Sequence, residues 1–159
     1  MTEAAGGFSA DEHRRRVAAL QREMAGAGLD ALLLTTPPDV FYVTGFLTRF
    51  WESPARPWFV IVPETGAPVA VIPAIGAEPM RRTWLRDIRT WPAPDPEDDG
   101  TGLLVDALCE LVPEEGRIGV PMGPETHLRM PLRDYAFVAA ALAPRRLVDA
   151  TDPLRRVRE

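Results

Sequence analysis

The chain has 159 residues, 46% of them hydrophobic and 26% charged, which suits one soluble domain with a sizeable core. Its net charge of −5 argues against nucleic acid as a partner, and all 18 basic residues are Arg, scattered along the chain. A single cysteine, Cys109, rules out an internal disulfide and fits a reducing cytoplasm.

The amino-terminal segment Met1–Gly7 has neither a basic start nor an apolar stretch, so it does not read as a signal peptide. Ser9 with Glu12 three residues on forms a capping box. Val17, Leu20, Met24 and Ala27 then recur at helical spacing until Gly28 supplies a left-handed stop. His13 is expected on the polar side of this helix. The run Asp30-Ala31-Leu32-Leu33-Leu34-Thr35 lacks polar alternation, as a central strand covered on both faces would. Thr36-Pro37-Pro38-Asp39 breaks it, and a helical turn over Val40–Val43 follows. Trp58–Pro63 and Pro68–Ile72, joined by Glu64-Thr65-Gly66-Ala67, read as a β-hairpin with Gly66 at the tight position. Next come a helix over Ile75–Leu85, a strand Ile88–Trp91 and a Pro- and acid-rich loop Pro92–Gly100. A helix over Leu103–Val112, a strand Arg117–Val120, a helix Leu132–Leu142 and a strand Arg146–Asp149 complete the order.

Helices alternating with strands around one hairpin predict a three-layer α/β/α domain with a mixed sheet. Leu32, Leu33, Leu34, Val60, Ile61, Val62, Val71, Leu104, Leu108 and Leu111 are its expected core. The longest apolar run, Ala136–Ala143, is far too short to span a bilayer, so no membrane role is expected.

Few motifs carry chemistry. Gly116, Gly119 and Gly123 do not make a dinucleotide fingerprint, and no phosphate-binding P-loop exists. His13 and His127 are far apart, with no acidic ligand pattern beside either. Asp95, Glu97, Asp98 and Asp99 resemble a carboxylate site by composition. They read better as a solvated loop, with Asp98 or Asp99 near the positive end of the following helix. Ser9 and Ser53 sit in no nucleophile elbow, and Cys109 sits in an apolar helix pattern, as a packed thiol does. No catalytic residue and no metal site is therefore assigned to this chain. The loop Thr48–Pro57 is different. It gathers Arg49, Phe50, Trp51, Glu52 and Arg56 just before Trp58, a composition that matches interface hot spots and substrate clamps. The bland reading folds these aromatics back onto the domain's own core. Trp51 fits either reading equally; Trp58 reads as core because it opens a strand.

Several pieces form an ordered set: Gly28-Leu29-Asp30-Ala31-Leu32-Leu33-Leu34, Tyr42-Val43-Thr44-Gly45-Phe46, the loop before the hairpin, Val148-Asp149 and Leu154-Arg155-Arg156-Val157-Arg158. From about residue 14 to 159 this set resembles the amino-terminal domain of the creatinase, prolidase and Xaa-Pro aminopeptidase family, the pita-bread metallohydrolases. The resemblance implies a domain with a ribonuclease H-like motif over residues 9–150. Residues 151–159 would begin a linker into a C-terminal pita-bread catalytic domain. It implies a cytoplasmic, homodimeric enzyme that hydrolyses a C–N bond in a small peptide, or in a small amidino or amide substrate. A Xaa-Pro dipeptidase or aminopeptidase comes first and a creatinase-like amidinohydrolase second, and this chain alone would be inactive. In the peptidases the second domain holds two divalent metal ions (Mn, Co or Zn), whereas creatinases use the same fold without metal; no position here matches those ligands. In family dimers the loop before the hairpin reaches the partner protomer's active site. There the Arg of an Arg-Pro-aromatic step binds a substrate carboxylate in the creatinase branch, and Arg56-Pro57-Trp58 matches that step. Trp51 or Phe50 is expected to line the same pocket. The loop departs from the creatinase pattern in length, and Pro54 stands where an aromatic is expected, which argues against creatine as the substrate. The alternative is a stand-alone α/β binding module without catalysis.

Overall fold

The first helix, α1 (Ala10–Ala27), starts where the capping box places it, with the Ser9 hydroxyl accepting from the Glu12 N–H at 3.2 Å. It ends on Gly28 at φ 66, and the Leu29 N–H returns to the Met24 carbonyl at 2.9 Å. A computed structural model describes residues 7–53 and 56–158 of the chain. Six strands form one sheet: β1 (Ala31–Leu34), β2 (Phe59–Pro63), β3 (Val69–Pro73), β4 (Ile88–Trp91), β5 (Arg117–Val120) and β6 (Arg146–Asp149). Their order is β4-β3-β2-β1-β5-β6. β2 runs antiparallel to both neighbours and every other pairing is parallel, so the sheet is mixed. The hairpin turn carries Gly66 at φ 86.

The three layers follow from the two-residue period of the strands. Leu32, Leu34, Val60, Val62, Ala70 and Ile72 share one cluster with Val17, Leu20 and Met24 of α1. Leu33, Ile61 and Val71, offset by one, share the opposite cluster with Leu104, Leu108, Val138 and Leu142. The last four lie on α4 (Thr101–Leu111) and α5 (Leu132–Leu142). The first face also carries α2 (Pro37–Thr44) and α6 (Thr151–Arg156), which add Val40, Val43 and Leu154 to its cluster. A one-turn α3 (Ala77–Arg81) contributes Met80 there. Of the ten residues expected as core, nine are buried; Leu111, at the end of α4, is only half-buried. Cys109 is also half-buried, packed on the cluster of α4 and α5.

Several boundaries differ from expectation. Thr36-Pro37-Pro38-Asp39 does not merely break the chain; it begins α2. Both prolines occupy the first helical positions, where an N–H has no intrahelical partner in any case. The expected helix over Ile75–Leu85 is a 3₁₀ turn (Ala74–Gly76) followed by α3. The Thr83 hydroxyl ends it by donating to the Met80 carbonyl at 2.7 Å and accepting from the Leu85 N–H at 3.2 Å. α4 starts earlier than Leu103 because the Asp98 carboxylate accepts from the Gly102 N–H and the Thr101 hydroxyl. α6 likewise starts before Leu154. His13 is a correction of a different kind: it is fully buried, not on a polar face. It continues the buried stripe of Val17, Leu20 and Met24, and its Nδ1–H donates to the Tyr42 carbonyl at 3.0 Å. That carbonyl belongs to the last turn of α2, which has no helical partner to offer it. Among the described residues no helix is long and apolar enough to cross a membrane. Met1–Gly6 of the segment tested for a signal peptide, Pro54 and Glu159 lie outside the described residues.

Candidate functional site

The candidate loop leaves α2 through the Tyr-Val-Thr-Gly-Phe element, and each residue there has a mechanical task. The Val43 carbonyl accepts from the Trp84 indole N–H at 2.9 Å, which closes another orphan at the helix end. The Thr44 hydroxyl donates to the Val40 carbonyl at 2.7 Å and accepts from the Phe46 N–H at 2.8 Å. Gly45 turns the chain at φ 76, and a Cβ there would stand 2.7 Å from His13 Nε2. Phe46 is thereby driven inward onto Trp58, with ring centroids 5.4 Å apart.

The next residues form a 3₁₀ turn, Arg49–Glu52, which the sequence did not suggest. The Thr48 hydroxyl caps it by accepting from the Phe50 N–H at 3.2 Å. Its two aromatics converge on Trp58. Phe50 stacks at 6.3 Å with an interplanar angle of 16°, and Trp51 tilts at 47° with centroids 5.7 Å apart. Trp58 itself is fully buried, as its place at the strand opening implies, and its ring leaves no room for a Cβ at Gly76. Trp51 is half-buried against the core and Phe50 is 36% exposed. The packing expected on the bland reading is what the loop shows. The aromatics rest on the domain's own core through Trp58, and one edge of the stack stays open to solvent.

Arg56, on the other arm of the loop, is half-buried and precedes the buried Pro57. Its guanidinium makes no hydrogen bond or ion pair with the described residues, whereas its carbonyl accepts from Arg129. Arg129, in the segment between β5 and α5, was not singled out by sequence. Its Nη2 also donates to the carbonyls of Trp51, at 3.3 Å, and Ser53, and its guanidinium carbon sits 5.1 Å over the Trp51 ring. A distant arginine thus bridges the backbone of Trp51 and Arg56, while Phe50 meets Trp51 only through their shared packing on Trp58. No local pattern could have revealed it, because its partners lie 73 to 78 positions away.

Other candidates disperse. In the acid loop, Asp95 accepts from the N–H groups of Glu97 and Asp98, Asp98 caps α4, and Asp99 accepts from the Trp91 indole at 3.0 Å. The backbone N–H of Gly102 above all, with the Thr101 hydroxyl, holds the Asp98 carboxyl below its ordinary range. Among the described residues, no group of three or more His, Cys, Asp and Glu side chains is placed to hold a metal ion. His127 is exposed at the rim of a cavity of about 260 Å³ near the carboxyl ends of β1 and β5, remote in the chain from the buried His13. Asp39 and Arg158, both on its lining, pair at 2.5 Å, and beside them, just past α6, the Val157 carbonyl accepts from the Tyr42 hydroxyl at 2.9 Å.

A family model described as the creatinase/prolidase N-terminal domain matches residues 16–159. Among solved structures, the dipeptidase PepE of Mycobacterium ulcerans is 26% identical with a TM-score of 0.71, over 95% of this chain and 38% of that one. A recombinant prolidase from Thermococcus sibiricus is 16% identical with a TM-score of 0.74, over 91% of this chain and 36% of its own. A proline dipeptidase from Streptococcus pneumoniae is 18% identical with a TM-score of 0.69, over 89% of this chain and 96% of its own. The chain thus spans little more than a third of the first two. No curated protein matches it.

Proposed function

Because this chain belongs to the creatinase/prolidase N-terminal domain family, we propose that it is the non-catalytic domain of a C–N bond hydrolase. The parent enzyme is a Xaa-Pro dipeptidase or aminopeptidase, with a creatinase-like amidinohydrolase as the second option. The domain contributes to dimerisation and gates the partner protomer's substrate site with the loop over residues 48–57. The observation that carries this reading is Arg56: its guanidinium has no counter-ion among the described residues, and it belongs to the same loop as Phe50 and Trp51, whose rings pack on Trp58. A planar fork left free in this way suits a substrate carboxylate, which it can grip through two parallel hydrogen bonds. Phe50 and Trp51 would wall the same pocket and exclude water from that pair.

The described residues do not fit a metal pair, so no chemical step is assigned to them. The two divalent ions (Mn, Co or Zn) of a peptidase belong, on this reading, to a separate catalytic domain, and this chain alone is inactive. The test is Arg56→Ala in the full-length gene product. Truncating a group that pairs a buried substrate charge costs about 2–5 kcal/mol, so kcat/KM should fall by roughly one to three powers of ten with the melt nearly unchanged. A lower melting temperature with catalysis per folded molecule intact would instead make Arg56 a brace of its own domain. If no hydrolase activity exists at all, the chain is a stand-alone binding module.

A further inference from the structure

Arg129 belongs to none of the motifs above, yet it holds the candidate loop in shape. Its two Nη groups donate to three loop carbonyls, at Trp51, Ser53 and Arg56, and its guanidinium carbon lies over the Trp51 ring. Its own backbone N–H donates at 2.8 Å to the hydroxyl of Thr35, which is fully buried at the end of β1. The arginine is thus anchored to the centre of the sheet at one end and to both arms of the loop at the other. No carboxylate among the described residues faces its guanidinium, and burial alone pushes that group down from its ordinary value. Three carbonyl dipoles take the place of a counter-ion. A lysine could not substitute, because its compact ammonium lacks the planar fork that spans separated acceptors.

Resting on the reading of the loop as a substrate gate, we propose that Arg129 is its positioning residue. By bonding carbonyls on both arms, it presents Arg56 and Trp51 in one arrangement toward the carboxylate end of a small peptide or amidino-acid substrate. Arg129 does not touch the substrate; it fixes the separation and direction of the groups that do.

Two measurements test this. In the chain itself, amide hydrogen exchange reports on Phe50 and Ser53, whose N–H groups are bonded within the 3₁₀ turn. Arg129→Ala and Arg129→Lys should both speed exchange there about tenfold or more, with Leu33 and Ile61 in the sheet unchanged. In the full-length gene product, both variants should raise KM for a substrate ending in a free carboxylate about tenfold, kcat changing less, with a smaller effect on its amide analogue. Unchanged loop exchange overturns the proposal. Faster exchange with unaltered KM also overturns it, and leaves the gate reading standing wherever Arg56→Ala still impairs turnover. If Arg56→Ala is itself harmless, the gate reading fails and this inference fails with it. Full rescue by Arg129→Lys would show that charge, not the fork, is what matters, and would equally refute it.

Discussion

Gly45 concentrates the physics of the site's approach into one position. The loop must leave α2 at φ 76, a left-handed conformation, and must do so with His13 pressed against the turn. A Cβ would meet His13 Nε2 at 2.7 Å. Gly45→Ala should therefore destabilise the fold by about 1–3 kcal/mol, read as a lower urea midpoint. Replacing His13 by Ala in the same chain removes the clash but not the dihedral strain, so the two changes should be less than additive. Strict additivity would mean that the imidazole does not press on the turn. His13 also shows why residue-level reading of sequence goes astray. A histidine among Arg and Glu looks solvated, but spacing of four and three residues aligns it with Val17 and Leu20 on the buried stripe. The Tyr42 carbonyl that makes its burial tolerable belongs to another helix.

At the scale of elements, the sheet is held by strands buried on both faces, and β1 is its centre. Every residue of β1 is buried, with Leu32 and Leu33 in opposite clusters. Leu33→Ala should cost about 2–5 kcal/mol in a chemical melt, and a midpoint equal to that of the parent would contradict its place in the core. Strands of this kind were legible because unbroken apolar runs of strand length have few other uses, and the hairpin was legible through Gly66. Helix limits were less so. Pro37-Pro38 reads as a stop or as a start, and only the tertiary position of α2 decides. The Thr83 hydroxyl ends α3 within a stretch whose helical pattern continues. The loop was legible as unusual through Phe50, Trp51 and Arg56. Its support was not, since Arg129 reaches it across the fold from a segment with no pattern of its own.

For the whole molecule, acid stability follows from how carboxylates are held. Asp98 is kept below its ordinary value of 3.8, chiefly by the Gly102 N–H. Asp149 is kept below it chiefly by the Thr151 hydroxyl. A depressed folded-state value means that stability is fully present above the unfolded value and is lost as pH falls through the folded one. Asp134 runs the other way, because burial raises it and its protonation favours the fold. Glu12, bonded to Arg15, and Glu110, bonded to Arg89, are also held below their ordinary value. With four groups against one, the urea midpoint should fall between about pH 5 and pH 2. A midpoint that rises over that interval would contradict these assignments.

The proposed role of the loop, serving the neighbouring protomer and not its own, belongs to this scale. It is tested most directly in mixed dimers of the full-length gene product. One protomer carries Arg56→Ala with an intact catalytic domain; the other carries the native loop and an inactivated catalytic domain. In a two-fold dimer the native loop of the second protomer then faces the intact site of the first. The account predicts that the mixed dimer turns over substrate with the native KM at its one working site. A mixed dimer as impaired as the Arg56→Ala homodimer would contradict it.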